Sequence, residues 1–411
     1  MQKRFARMTR IDDSINAIDG LECWGIKEGK DGLGIVKCEG KISGVFTTNR
    51  IKAAPVIVTA EHVKGGSFKG LVVNSGNANA FTGEKGFENA KRMAEILASK
   101  LSCKPEEIAV CSTGVIGRQL KMGWIESKME EVFARLENSR EAAKNFVKAI
   151  TTTDRFLKEY AVKVGDIIIA GVAKGAGMIA PSMKSATTAT MLAFLFTDAD
   201  LEKTEMDGFL LNAVERSFNV TTVDGDTSTN DTVLLISTGK KKVERDDKEL
   251  FRDALTHVCF QLAKMIVKDG EGATKVFEVH VKNARSDEEA FKAAKTIANS
   301  LLVKTAIFGC DANWGRIIAA LGYSGIEITE NITLWFEKDV ESEKNGKKGN
   351  EKVYLLEKGV QTGFEDEASD FLRKTDDFRI IVELDVGDGK GYAIGCDLTY
   401  DYVKLNAEYT T

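Results

Sequence analysis

Gly171 to Asp200 reads GVAKGAGMIAPSMKSATTATMLAFLFTDAD and falls into three parts. An apolar run ends in a glycine-rich turn at Lys174, Gly175 and Gly177. A connector of small polar residues follows, Ser182 to Ala189, and Thr190 then opens a second apolar run, Met191 to Phe196. Short apolar runs bounded by turn residues are strand signals. A Thr between an open connector and a buried strand is placed to become a chain start if the Ala189–Thr190 bond is cut. Its new α-amine would lie beside its own hydroxyl and could take that hydroxyl's proton. This is the N-terminal-threonine form of an activated nucleophile.

Upstream, residues 160–173 read as strand and residues 20–60 as a series of short strands, among them one beginning at Pro55 (PVIVTA). Leu71 to Val73 runs into Asn74-Ser75-Gly76-Asn77-Ala78-Asn79-Ala80, an amide-rich loop expected to be tied by its own side chains. Phe87, Ala90, Ala94, Leu97 and Leu101 share one helical face. The strand at Ile108 ends in Ser112-Thr113-Gly114, small residues that bring hydroxyls and bare N–H groups to a strand end. A structural turn and an oxyanion-type site fit that stretch equally.

Downstream, helices are expected over 201–216 and 247–268, then a loop, Asp269 to Lys275, with Glu271 among small residues. A strand at Phe277 and a capped helix from Ser286 follow. The tail from Gly391 reads as strand and then polar chain. Strands pair with amphipathic helices on both sides of Thr190, which predicts a layered α and β fold.

The chain has 411 residues, long enough for two lobes. Its net charge of −5 gives no reason to expect nucleic acid or an anionic membrane. No apolar run reaches membrane-span length, and the first residues lack the apolar core of a secretory signal. Seven scattered cysteines without a C-x-x-C pair fit reduced thiols, so a cytoplasmic location is expected. His62, His257 and His280 lie in no motif, which argues against a Ser-His-Asp triad or a histidine-rich metal site. No metal is expected.

Two motif matches fail on context. Gly175 to Ala180 fits G-x-G-x-x-A, but Pro181 and polar residues follow where a dinucleotide site needs a helix. Val223 to Asp231 resembles a calcium loop, yet the sixth position is Thr229 and Leu235 stands where a closing Glu belongs. A polar turn before a strand is the expected role of that stretch.

The chain resembles the ornithine acetyltransferase (glutamate N-acetyltransferase) family of arginine biosynthesis. The matching stretches are Val45–Asn49, Val72–Ala80, Ser112–Gly117, Lys174–Pro181, Ala189–Phe194, Val223–Asp231, Gly270–Lys275, Lys304–Arg316 and Asn406–Tyr409. The resemblance implies an α+β fold, an αββα-type sandwich of two mixed sheets between helix layers. It implies self-cleavage at Ala189–Thr190 into an α chain (1–189) and a β chain (190–411), assembled as an α2β2 heterotetramer. The implied reaction moves an acetyl group from N-acetylornithine to glutamate through an acyl-enzyme on Thr190, with no cofactor. Acetyl-CoA is a second-donor candidate, because the family holds both mono- and bifunctional members.

By the same resemblance Thr113 and Gly114 form the oxyanion hole, and Thr152, Lys174, Glu271, Asn406 and Thr411 join Thr190 in contacting substrate. Two departures stand out. Ser182 to Thr188 lengthens the connector by about five residues relative to the family, adding candidate cuts at Ala186–Thr187 and Thr187–Thr188. Thr190 is preferred because the Met191–Phe194 strand follows it directly. Ala312 stands where the family usually has Pro. The rival readings are a self-processing N-terminal-nucleophile amidohydrolase or aminopeptidase, and an uncleaved relative acting as a binding protein.

Overall fold

The computed structural model describes residues 8–185, 191–341 and 348–408. The Ala189–Thr190 bond and Thr411 lie outside the described residues. Two compact units emerge. The first runs up to Asn219 and adds Asp226–Ile266; the second holds Val220–Gly225 and the chain from Val267 on. Each contains one mixed sheet with helices, in line with an α+β fold of two mixed sheets.

In the first unit the strands are β1 (Met8–Ile11), β2 (Glu22–Glu28), β3 (Asp31–Thr47), β4 (Ser67–Asn77), β5 (Ile108–Val115), β6 (Lys158–Val164), β7 (Ile167–Lys174), β8 (Met183–Ser185) and β9 (Leu192–Asp200). The short β10 (Thr221–Thr222) belongs to the second unit, and β11 (Thr232–Lys242) returns to the first. The sheet order is β1-β6-β7-β9-β11-β3-β4-β5, with β2 and β8 also paired to β3. Among the described residues, four helices precede β6 in this unit: α1 (Ala54–Val63), α2 (Gly83–Leu101), α3 (Met122–Phe133) and α4 (Arg140–Ile150).

Side-chain alternation along the strands, which has period two, sorts the core onto two faces. Val36, Leu71, Val73 and Ala109 pack with Phe146, Val147 and Ile150 of α4 and Val56 of α1. Their sequence neighbours Ile35, Val72, Ile108 and Val110 pack with Met93 and Leu97 of α2 and Met129 of α3.

Three expectations are corrected. The residues from Pro55 form helix α1, not a strand. Pro55 sits in the first helical turn, where a missing N–H costs nothing, and Thr59 Oγ1 donates to Val110 O (2.6 Å) and accepts from Val110 N (2.8 Å). Those tertiary bonds and the burial of Val56 and Val58 outweigh the β preference of a Val-Ile-Val-Thr run. The connector after Pro181 is not open throughout: β8 pairs antiparallel with the end of β3, and Asn219 brackets Met183 by accepting from its N (2.6 Å) and donating to its O (2.7 Å). The polar stretch of the tail is helical over Tyr400–Glu408.

The order of the first sheet has one consequence for a cut before Thr190. β9 lies between β7 and β11, and β11 lies between β9 and β3. The two strands that follow residue 190 are therefore inserted as a pair between strands that precede it.

The helices α5 (Lys203–Glu215) and α6 (Lys248–Lys268) follow β9 and β11. In the second unit come β12 (Val276–Ala284), α7 (Asp287–Asn299), α8 (Leu301–Phe308), α9 (Trp314–Gly322), β13 (Thr333–Glu341), β14 (Lys348–Glu357), β15 (Val360–Gln361), α10 (Glu365–Arg373), β16 (Asp377–Glu383), β17 (Gly389–Cys396) and α11 (Tyr400–Glu408). The sheet order is β10-β17-β12-β16-β13-β14-β15. Its core joins Phe277, Val279 and Ile380 to the alanine-rich face of α7 and to Phe371 of α10. Ala312 uses the N–H that a Pro would lack, donating to Ser369 Oγ (3.3 Å), while Asn313 caps α9 by accepting from Arg316 N. No described helix is long and apolar enough to cross a membrane.

Candidate functional site

The first cluster forms where β7 ends. Lys174 is its last residue, 4% exposed, and its ammonium donates to Thr113 Oγ1 (3.1 Å) and Thr152 Oγ1 (2.9 Å). Three residues singled out in the sequence, from a strand end, a strand end and a turn, thus share one point of contact. Because the ammonium only donates, each hydroxyl accepts it and keeps its own hydrogen to donate elsewhere. A hydroxyl beside a buried cation is suited to stabilise negative charge that develops on an oxygen.

Thr113 and Gly114 lie where β4 and β5 run together, with Asn74 opposite Ser112 and Gly76 opposite Gly114. Gly114 has φ +131°, and a Cβ there would fall 2.3 Å from the Gly76 carbonyl carbon, so glycine is required by the close backbone approach. The amide-rich loop is tied by its side chains as expected. Asn74 Nδ2 donates to Asn77 O (2.8 Å), and Asn77 Oδ1 accepts from Asn79 N (2.8 Å).

Asp154 was not singled out by the sequence reading, yet it organises the cluster. Its side chain is fully buried; it accepts from Lys158 Nζ (2.6 Å), Gly175 N (2.7 Å) and Thr152 N (3.0 Å). Burial alone would raise the Asp154 carboxyl. Lys174, Lys158 and the Gly175 N–H outweigh that and hold it well below the usual carboxylate range. Lys158, also fully buried, opens β6. Lys27 donates to Thr151 O (2.6 Å) and Ser75 Oγ (2.7 Å); burial first, and then the like charge of Lys174, push it down to about 8. The only signal in the sequence was an Asp and a Lys four apart around a turn, indistinguishable from a surface pair.

Strand register brings the start of β9 to this cluster. Leu192 pairs with Lys174 of β7 on one side and with Thr232 of β11 on the other. Thr232 N donates to Met191 O (2.9 Å). The adjoining Asp231 is 1% exposed, and its Oδ1 has no hydrogen-bond partner among the described residues. Burial raises its carboxyl well above the usual range, and the Lys174 cation opposes this only in part.

That shift has a signed consequence. With a folded pKa above the unfolded value of about 3.9, Asp231 keeps its proton in the fold where the unfolded chain has lost it. Its contribution to stability is full below about pH 4 and declines toward the folded pKa, by about 1.4 kcal/mol per pH unit. Asp231→Asn should remove the decline. Melting temperatures of parent and variant between pH 5 and 7 should diverge, the variant gaining as pH rises; a constant gap would mean a charged Asp231.

The second unit places Glu271 and Asn406 together. Asn406 Nδ2, on α11, donates to Glu271 Oε2 (2.9 Å). The Glu271 loop is fastened beneath that contact, where Thr399 Oγ1 donates to Gly272 O (2.7 Å) and Asp397 Oδ1 accepts from Thr274 N and Lys275 N. The histidines are held by the fold: His62 by Ile108 O, His257 by the Tyr160 hydroxyl and His280 by Glu278. Among the described residues no three or more His, Cys, Asp or Glu side chains gather as metal ligands.

A model of the ArgJ family matches residues 19–411. The chain is 54% identical over 398 residues to the arginine biosynthesis bifunctional protein ArgJ of Archaeoglobus fulgidus, covering 97% of this chain and all of that protein. It is 46% identical over 422 residues to the glutamate N-acetyltransferase of Methanothermobacter thermautotrophicus, covering 100% and 99%. A crystal structure of the arginine biosynthesis bifunctional protein ArgJ of Bacillus halodurans is 43% identical, covering 53% of this chain and 98% of that one, with a TM-score of 0.47.

Proposed function

The chain belongs to the ArgJ family, and on that premise we propose that it moves an acetyl group from N-acetylornithine to glutamate after cutting itself at Ala189–Thr190. Thr190 Oγ attacks the acetyl carbonyl while its own α-amine takes the hydroxyl proton. The amide C–N bond breaks, the proton passes to the departing amine, and ornithine leaves an acetyl ester on Thr190. The amine of glutamate attacks that ester, its surplus proton returns to the threonine oxygen, and N-acetylglutamate leaves. Thr113 and Gly114 hold the carbonyl oxygen as it becomes negative. Lys174 supplies positive charge, also suited to the α-carboxylate that both amino acids carry, and Thr152 orients it.

The observation that carries this reading is the pairing of Leu192 with Lys174, whose ammonium is bonded to Thr113 and Thr152. The chain enters β9 from Thr190, two residues earlier, so the proposed nucleophile is tethered to the row that carries the proposed charge stabilisers.

The test uses the purified full chain with acetyl-labelled N-acetylornithine and unlabelled glutamate. Label should appear in N-acetylglutamate, and N-terminal sequencing should find a chain beginning at Thr190. Label released only as acetate would make the protein a hydrolase, and an inert, uncut chain would make it a binding relative. A parallel run with acetyl-labelled acetyl-CoA reads whether that donor is also used.

A further inference from the structure

Val223 to Asp231 was singled out in the sequence, and neither a calcium loop nor the proposed chemistry uses its Asn230. Asn230 is 4% exposed, and three of the four hydrogen-bonding sites of its side chain are used. Its Nδ2 donates to Ala78 O (2.5 Å) and Ser112 O (2.8 Å), and its Oδ1 accepts from Thr229 Oγ1 (2.6 Å).

The two carbonyls are significant because of what shares their peptide planes. Ser112 C=O belongs to the same rigid plane as Thr113 N–H. Holding that oxygen fixes the plane from which the Thr113 side chain and then Gly114 project. Ala78 lies on the neighbouring loop, and its own N–H donates to Val115 O (2.9 Å), just beyond Gly114. One amide therefore clamps the loop and the strand end that together enclose Thr113 and Gly114.

Asn230 is also close in the chain to the start of β9. Thr232, two residues on, bonds to Met191 O (2.9 Å), and two residues of chain span at most about 7 Å. We infer that Asn230 is a positioning residue that sets the spacing between the Thr113–Gly114 donors and the chain start from which β9 begins. This rests on the acyl-transfer reading above. An oxyanion donor must meet an oxygen position to within a fraction of an ångström, and a shift of about 1 Å costs about 100-fold in rate.

Loss of any amide that ties two carbonyls loosens a fold, so the test needs a control that does the same away from the cluster. Asn138, an exposed residue elsewhere in the first unit, likewise ties two carbonyls through one amide nitrogen: its Nδ2 donates to Ile18 O (3.0 Å) and Leu21 O (2.7 Å). Full-length Asn230→Ala and Asn138→Ala are compared for melting temperature and for kcat and KM of acetyl transfer. Both should lose thermal stability, the buried Asn230→Ala the more. Asn230→Ala should lower kcat about 30- to 100-fold with KM changed less than about threefold, while Asn138→Ala keeps the parent kcat. Asn230→Ser, which retains one donor, should lose less and is the variant compared if Asn230→Ala does not fold. Equal kcat losses at the two positions, or a loss confined to KM, would overturn the inference while leaving the transfer reading standing. A parent chain that transfers no acetyl group would overturn both.

Discussion

Thr190→Ala should leave the 411-residue chain in one piece and lower acetyl transfer by about 10⁴-fold or more. Both effects have one cause. The hydroxyl proposed to cut the chain is the hydroxyl proposed to accept the acetyl group, and the amine proposed to serve as its base exists only after the cut. Thr190→Ser retains a hydroxyl and should still cut, though more slowly, and still turn over. In the parent, the two products of cutting should copurify and part only in denaturant. β9 and β11 of the later chain lie between β7 and β3 of the earlier one, so separation would break two ladders of buried strand pairing. Gel electrophoresis under denaturing conditions, beside native size-exclusion chromatography, reads both points. An uncut Thr190→Ala chain with activity within tenfold of the parent would place the nucleophile elsewhere.

Asp154→Asn should be the most damaging conservative change at the cluster. The variant leaves the fully buried Lys158 without the Asp154 carboxylate and removes a negative charge that acts on Lys174. Breaking one side of a buried ion pair typically costs about 3–5 kcal/mol. Activity should fall about 100-fold as Lys174 and the turn at Thr152 lose their placement. The pair Asp154→Asn with Lys158→Met separates the two effects. Removing both charges should restore most of the stability, because an apolar replacement needs no desolvation, while Lys174 stays misplaced and activity stays low. Asp154 also predicts acid behaviour. Its depressed folded pKa stabilises the protein above the unfolded value of about 3.9 and is lost as pH falls through the folded value. The parent should lose stability on acidification below about pH 4, and Asp154→Asn should lose less.

Much of this protein was legible in its residues alone. The apolar runs on either side of the 174–190 segment became β7 and β9, and the residues assigned roles through the family resemblance included Thr113, Thr152 and Lys174, which share a contact, and Glu271 and Asn406, which share another. Alternation and turn chemistry are local properties, so they survive in a one-dimensional reading. Tertiary structure alone made a helix of Ala54–Val63, because Thr59 bonds a strand that begins 49 residues later. It alone converted Asp154, Lys158 and Asn230 from ordinary polar residues into a buried framework. A sequence shows that a residue carries charge or an amide; only the packed chain decides whether water or another buried group satisfies it, and that choice sets its energy and its role.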